Sequence, residues 1–229
     1  MNALNLIKYV IFTVVFIYTF LWTPINLFLS SLGQKKFPIT VIDNNQIRQL
    51  VKKKTGIDVV TTKISESSRP FGMMIGIPTK PQLILSRNLY DTFAPDEMEY
   101  VVLHEAGHYK LWHGAIEFVV GGVLFIIGLL ILRGANQFPA SILTAVVVGL
   151  VFGVIMIRLG RMHEYQADGY SLTHMTNPEG MIQATGKFRG FYGKSYTENN
   201  NKVIQFMFYR GNPYDNRIKM AQAEIERRK

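Results

Sequence analysis

The sequence of 229 residues contains no cysteine, few charged residues and only five histidines. Without cysteine, disulfides, thiolate metal sites and a cysteine nucleophile are all excluded. Any bound metal must therefore be held by His, Asp or Glu side chains. Charged residues make up 18% of the chain and hydrophobic residues 48%, which is too apolar a balance for a typical soluble domain.

Acidic residues are also in the minority, and the formal net charge is +9. A basic balance suits either nucleic acid or an anionic membrane surface. The apolar residues are clustered in long runs, and no helix-turn-helix or RNA-binding pattern stands out. We therefore expect a lipid bilayer as a partner and no nucleic acid.

Three segments are long and apolar enough to cross a bilayer, which takes about 20 residues. Tyr9–Ser30 is uncharged, and we interpret it as an anchor because its apolar stretch is too long for a cleaved signal peptide. Gly114–Leu132 and Phe138–Ile157 are separated by five residues and predict a tight transmembrane hairpin. A buried hairpin in a soluble core is the less favoured alternative.

The polar segments predict a small mixed set of helices and strands. Ile42–Lys54 has apolar residues at helical spacing and is followed by Gly56, a typical helix stop. Strands are predicted at Ile57–Ile64, Phe71–Ile77 and Gln82–Ser86. Further helices are predicted from Ala94-Pro95-Asp96 onward, over Arg161–Thr176 and within Ile204–Lys229. The fold class is thus a mainly α membrane protein with a small β-sheet and three transmembrane helices.

The residues His104-Glu105-Ala106-Gly107-His108 form an HExxH motif. Histidines four positions apart share one face of a helix and can bind one zinc ion. Glu105 would then lie beside the open coordination position, where it can act as general base. Two surface histidines on an ordinary amphipathic helix are the alternative. Gly107 costs about 1 kcal/mol relative to Ala in a helix, which a close approach of substrate or another backbone would explain.

Zinc requires a third protein ligand, and the predicted hairpin returns the chain to the side of His108. The candidates are His113, His163, Glu164, Asp168 and His174. On a continuous helix His113 lies roughly 140° from His108, so we expect it to face away from the metal and to be structural or interfacial. Glu164 and Asp168 share one helical face, and geometry alone does not choose between them.

The segment HEAGHYKLWH, the hairpin and Glu164-Tyr165-Gln166-Ala167-Asp168 together resemble the HtpX and type I CAAX prenyl endopeptidase family of integral-membrane zinc metalloproteases. The resemblance implies a zincin-like catalytic domain with one Zn²⁺ per chain. It implies Glu164 as the third ligand and Asp168 as the group that holds a zinc-bound histidine by its free ring N–H.

Two departures from the family pattern concern the spans and the C-terminal region. Family members of the HtpX type have two spans before HExxH, and this chain has one. Family members also carry a His-Pro near the C-terminus, and the resemblance implies that this histidine donates a hydrogen bond to the transition-state oxyanion. Here the pair is Asn212-Pro213, and Asn212 and Tyr214 are the candidates to supply that donor instead. Arg217 matches the family arginine and is a candidate catalytic residue, with a structural ion pair as the alternative.

These features predict an anchor over residues 1–33 and a zinc metallopeptidase domain over residues 34–229, interrupted by the hairpin at about 114–158. The predicted activity is hydrolysis of membrane or membrane-proximal polypeptides. A site-2-type intramembrane protease is an alternative because Asp168-Gly169 fits its second motif, but the HExxH segment is too charged to lie in hydrocarbon. A catalytically silent membrane adaptor is the other alternative, which the intact motif residues disfavour.

Charge asymmetry predicts the orientation of the spans. Only Arg133 occupies the hairpin loop, whereas basic residues cluster on the other side at Lys35, Lys36, Arg48, Lys52–Lys54, Arg158 and Arg161. The positive-inside rule therefore places the catalytic side in the cytoplasm and the N-terminus outside.

Overall fold

The computed structural model describes residues 3–16, 39–42, 44–76, 80–135 and 140–229. Within these ranges the chain is mostly helical and has one four-stranded sheet, as the predicted fold class requires. The helices are α1 (Ala3–Phe16), α2 (Asn45–Thr55), α3 (Arg87–Thr92), α4 (Pro95–Lys110), α5 (His113–Gly134), α6 (Ala140–His174), α7 (Glu179–Tyr192), α8 (Lys202–Phe208) and α9 (Tyr214–Arg228). The strands are β1 (Ile39–Ile42), β2 (Thr61–Ser65), β3 (Gly72–Ile75) and β4 (Gln82–Ser86).

The sheet has the order β1-β2-β4-β3, so that β3 is an outer strand. β2 and β4 pair in parallel, whereas β1 and β3 pair antiparallel with their neighbours. Strand β1 was not predicted, and Ile42 belongs to it rather than to the following helix. That helix begins at Asn45 because the Asn44 side chain accepts a hydrogen bond from the Ile47 N–H at 3.1 Å, as a helix N-cap does.

Helix α4 crosses the sheet and carries the HExxH motif. It begins at Pro95, and the Glu97 carboxylate accepts a hydrogen bond from the Ala94 N–H at 2.7 Å. Its apolar face, including Val102 and Leu103, packs on the sheet residues Leu83 and Leu85 in one buried cluster. The motif is thereby fixed on a rigid element at the centre of the core.

Helices α5 and α6 are the two helices of the described residues that are long and apolar enough to cross a membrane. Large apolar side chains on them are exposed, for example Phe118 and Leu143, which is the opposite of a soluble core hairpin. α6 continues unbroken for 35 residues, so the helix predicted over Arg161–Thr176 is its extension. The remaining predicted span, Tyr9–Ser30, extends beyond the described residues. The part of it that the structure describes is the second half of α1.

Helix α1 packs against the hairpin. The Phe12 ring stacks on Phe125 at 5.6 Å and meets the edge of Phe152 at 6.4 Å. The Lys8 ammonium donates to the Ala135 carbonyl at 2.7 Å. The N-terminal end of α1 therefore lies beside the end of α5, whereas the HExxH helix precedes the start of α5.

Candidate metal centre

His104 and His108 direct the same ring atom, Nε2, toward one point. Nδ1 of His104 lies 2.8 Å from the Asp168 carboxylate, which can only accept a hydrogen bond and so fixes the proton on Nδ1. Nδ1 of His108 lies 2.9 Å from Nδ1 of His113, whose Nε2 contacts the Gln166 side-chain oxygen at 2.9 Å. With the proton on Nδ1, the neutral form of each histidine directs an Nε2 lone pair into the site.

Glu164 on α6 completes a triangle of donor atoms. The two Nε2 atoms lie 3.1 Å apart; Oε2 of Glu164 lies 3.6 Å from Nε2 of His104, and Oε1 of Glu164 lies 3.5 Å from Nε2 of His108. Ligand bonds of 2.0–2.1 Å in a tetrahedral zinc site place donors about 3.3 Å apart. Two facing lone pairs beside a carboxylate repel one another unless a cation lies between them. The donor set and its spacing therefore fit a zinc ion, and these three residues could hold a metal.

Asp168 is completely buried and saturated with hydrogen-bond donors. One of its oxygens accepts from the Tyr100 hydroxyl and His104 Nδ1, both at 2.8 Å. The other oxygen accepts from Asn212 Nδ2 at 2.7 Å and from Arg217 Nε at 2.9 Å. The carboxylate thus orients His104 and has little capacity left to bind a metal directly.

Arg217 joins the two acidic residues of α6. Its Nε donates to Asp168 and its terminal nitrogen donates to Glu164 at 3.0 Å. Burial disfavours the charged guanidinium, but Asp168, Tyr100 and Glu164 together outweigh burial and raise the pKa of Arg217. Arg217 also lines the cavity at the motif, so that the two interpretations of this residue, ion pair and active-site residue, are compatible.

Glu105 lies in the same cavity, under strand β3. A Cβ placed on Gly72 would lie 3.3 Å from Glu105 Cγ, which shows how closely the strand covers this side chain. The nearby backbone of Met74 favours the charged form of the Glu105 carboxylate. Burial raises the pKa of Glu105 to about 7, against the opposing effect of His104. Burial also lowers the pKa of His108 to about 2, which favours the neutral imidazole that a metal requires.

The cavity has a volume of about 620 Å³ and lies between strand β3 and the C-terminal helices. Its floor contains the HExxH residues and Glu164. Aromatic side chains form the opposite wall: Phe188, Tyr192, Tyr196, Phe208, Tyr209 and Tyr214. An extended polypeptide could lie along β3 with its side chains in this cavity.

The expectation that His113 faces away from the metal site was wrong. The helix ends before it, because Trp112 adopts a left-handed conformation with φ of 59° and starts a new helix direction. The His113 ring consequently turns back onto His108 and stacks on the His163 ring, with centroids 4.1 Å apart. A tryptophan with positive φ is rare and leaves no signal in the sequence.

Two further residues near the site, Arg210 and Glu117, were not predicted from the sequence. Arg210 was not singled out, yet it makes two hydrogen bonds, at 2.6 and 2.7 Å, to Glu117 near the start of α5. His163 also contacts Glu117, at 2.9 Å. Asn212, a candidate oxyanion donor, is buried and donates to Asp168, whereas Tyr214 lines the cavity. An isolated glutamate at the start of a span was the available signal for a partner.

Gly107 is explained by the crossing of α4 and α6. A Cβ at this position would lie 3.2 Å from Tyr170 Cβ and 3.3 Å from Ala167 Cα. The absence of a side chain lets the two helices approach closely. This approach brings Glu164, three residues before Ala167, to the HExxH histidines.

Comparison with known proteins gives three consistent matches. The model of peptidase family M48 matches residues 45–225. A protease HtpX homolog of Archaeoglobus fulgidus is 26% identical over 184 residues, which cover 76% of this chain and 53% of the relative. The crystal structure of S. mikatae Ste24p has a TM-score of 0.65 at 14% identity, over 91% of this chain and 61% of that chain, and shows a similar fold. The chain thus spans about half the length of the curated relative it matches.

Proposed function

Since the chain belongs to peptidase family M48, we propose that it is a membrane-embedded zinc endopeptidase that hydrolyses membrane or membrane-proximal polypeptides. The observation that carries this proposal is the triangle of Nε2, Nε2 and carboxylate atoms, 3.1–3.6 Å apart, beside Glu105. The relative named a protease HtpX homolog supports the same class of activity.

The proposed ligands of a single Zn²⁺ are His104, His108 and Glu164, with Asp168 orienting His104. A zinc ion held by these residues would polarise a scissile carbonyl and make an attacking water more acidic. Glu105 accepts the proton of that water and delivers it to the leaving amine. Arg217 holds Glu164 in place and presents positive charge to the cavity in which an oxyanion develops.

The outer strand β3 is the proposed binding edge for the substrate backbone. It contains no charged residue that would block pairing. A polypeptide that adds to this edge passes directly over the HExxH residues. The scissile bond is thereby placed between the metal ligands and the general base.

We further propose the division into an anchor, residues 1–33, and a zincin-like catalytic domain, residues 34–229, interrupted by the α5–α6 hairpin. The basic residues on the motif side support a multi-pass protein of the cell membrane whose catalytic side faces the cytoplasm.

A site-2-type intramembrane protease is the less favoured enzyme. Such an enzyme requires its HExxH helix in the membrane, whereas α4 is packed on the sheet and begins with charged residues. Asp168, which would be a ligand in that class, is saturated with four donors.

The activity is tested with purified protein in detergent and an unstructured polypeptide substrate. We expect about one zinc per chain and proteolysis that stops on chelation and returns when zinc is added back. A chain that holds zinc in its native fold but cleaves nothing would support the silent adaptor. A chain that cleaves equally well without metal would rule out a zinc peptidase.

A further inference from the structure

Helix α8 is apolar on the side that faces solvent. Val203 is 64% exposed, Phe206 is 49% exposed and Ile204 is 40% exposed, on one side of a helix of seven residues. Surface helices of water-soluble proteins turn such side chains toward the core. An exposed cluster of this kind marks a surface that is covered by something other than water.

The polar residue of the same helix faces inward. The Gln205 side-chain oxygen accepts from the Asn199 N–H, and its Nε2 donates to the Thr197 carbonyl at 3.0 Å. The Gln205 carbonyl in turn accepts from the Arg161 guanidinium at 2.6 Å. α8 is therefore inverted relative to a soluble amphipathic helix, with polar contacts to the protein and apolar side chains outside.

The position of α8 along α6 identifies what covers it. The Arg158 guanidinium lies over the Phe206 ring at 4.5 Å, one residue beyond the predicted end of the span at Ile157. Exposed apolar side chains lie on both sides of this point, with Ile155 just before it and Met162 about one turn after it. The patch on α8 is thus continuous with the surface that the bilayer covers, at the level where the hydrocarbon ends.

We propose that α8 lies in the lipid interface, with Val203, Ile204 and Phe206 inserted among the acyl chains and Lys202 and Arg158 at the headgroups. Basic residues beside inserted aromatic and aliphatic side chains are the usual composition of such interfacial helices. The lipid bilayer accounts for the patch better than a protein partner does, because the patch merges with the span. This inference rests on the proposed membrane placement of α5 and α6.

The interfacial helix has a consequence for the substrate. Phe208 to Gly211, at the end of α8 and directly after it, form one wall of the catalytic cavity. Arg210 crosses α6 at Gly160, where a Cβ would lie 2.5 Å from its Nε, and reaches Glu117 on α5. The segment that forms this wall is therefore connected to the interfacial helix α8 at one end and, through Arg210 and Glu117, to the α5–α6 hairpin at the other. Polypeptides that leave the bilayer next to α8 are the substrates that this arrangement favours.

The natural absence of cysteine permits a direct test with single-cysteine variants. Val203→Cys is labelled with an environment-sensitive fluorophore and reconstituted into vesicles of phosphatidylcholine and an anionic lipid. Lipids that carry a spin label either near the headgroup or near the chain end serve as quenchers. Val147→Cys, in the middle of the span, and Gln222→Cys, exposed on α9, are the matched controls. Zinc content verifies that each variant is folded, and Phe206→Cys replaces Val203→Cys if that variant does not fold.

We expect the shallow spin label to reduce the fluorescence at residue 203 more than the deep one does. At residue 147 we expect the reverse order, and at residue 222 no loss with either lipid. If the label at residue 147 is quenched and the label at residue 203 is not, the interfacial helix is overturned and the membrane placement of the span still holds. An α8 label that is shielded from aqueous iodide without lipid quenching would overturn it in favour of a protein partner. Loss of quenching at residue 147 would overturn the membrane placement and this inference together.

Discussion

At the scale of single residues, the number of hydrogen bonds that each carboxylate accepts distinguishes Asp168 from Glu164, which helical geometry alone did not. Asp168 receives four donors and is buried, whereas Glu164 receives one hydrogen bond, from Arg217. A carboxylate with unused lone pairs that face two imidazoles is the better ligand. The motif spacing places both on one helical face, but their hydrogen-bond partners come from α4 and α9, which the local sequence does not reveal.

Glu164→Ala is expected to empty the metal site, while Asp168→Asn retains metal with weaker binding. Loss of a hydrogen bond to a ligating histidine typically costs about 10–100-fold in metal affinity. Metal analysis and titration with a competing chelator would measure both effects, with the exposed Glu226→Ala as control. Full zinc occupancy in Glu164→Ala together with an empty Asp168→Ala would reverse the assignment of these residues.

His113→Ala is expected to weaken zinc binding by about 10–100-fold, because His108 loses the acceptor that fixes its ring. Chelator competition on the purified variant gives the affinity. His174→Ala is the matched control, since that ring stacks on Tyr170 and does not contact the motif histidines. Equal zinc affinities of the His113 variant and the unmodified chain would show that His113 does not position His108.

At the scale of helices and strands, the site depends on the close crossing of α4 and α6. Gly107→Val is expected to force the helices apart, because even a Cβ would lie 3.2 Å from Tyr170. Overpacking of this kind costs about 1–3 kcal/mol and would move Glu164 away from the histidines.

Thermal unfolding in detergent and zinc affinity would both report the change, at about 2–4 °C per kcal/mol for a chain of this size. Gly186→Val is the control, because that helical glycine has open space around it, and we expect a near-neutral effect there. A Gly107 variant that is as stable as the control variant would contradict the crossing.

The sequence predicted those elements whose signals are local. Gly56 ends α2 in a left-handed conformation, and the α4 start at Pro95 follows from its proline and acidic first turn. Strand β1 was missed because its four residues have no alternation of buried and exposed positions. The break at Trp112 was missed because nothing in HYKLWH distinguishes a continuing helix from two helices that meet at an angle.

At the scale of the whole molecule, the two ends of the α5–α6 hairpin differ: one end carries the loop and the other adjoins the metal centre. The contact of Lys8 with Ala135 brings the N-terminal part of α1 to the loop end of the hairpin. Glu117 and His163, at the other end of the hairpin, contact one another and adjoin the metal centre. His108 and Glu164 therefore share a side whatever the absolute orientation of the spans is.

The absolute orientation is predicted with the N-terminus and the hairpin loop outside and the metal centre in the cytoplasm. A cysteine at Asn136, between the two span segments, is expected to react with a membrane-impermeant thiol reagent in intact cells. A cysteine at Gln222, exposed on α9, is expected to react only after lysis. The reverse labelling pattern would show that the protein has the opposite orientation in the membrane. It would not change the assignment of the metal ligands.

The motifs on either side of the hairpin were sufficient to predict the family, and the family match confirms that resemblance. The contacts of the C-terminal region were not predictable in the same way. Asn212 and Arg217 both reach Asp168, yet they are 44 and 49 positions away from it in the sequence. Such contacts follow from the packing of α9 on α6 and α7 and have no periodicity that a single sequence displays.

The central claim, a zinc peptidase with Glu105 as its base, is tested most directly by comparing Glu105→Gln with the unmodified chain at equal zinc content. Glutamine nearly preserves the side-chain shape but cannot accept a proton. We expect the variant to keep about one zinc per chain and its thermal stability, and to cleave an unstructured polypeptide about 10²–10⁴-fold more slowly. Cleavage at the rate of the unmodified chain by the zinc-loaded variant would contradict the account.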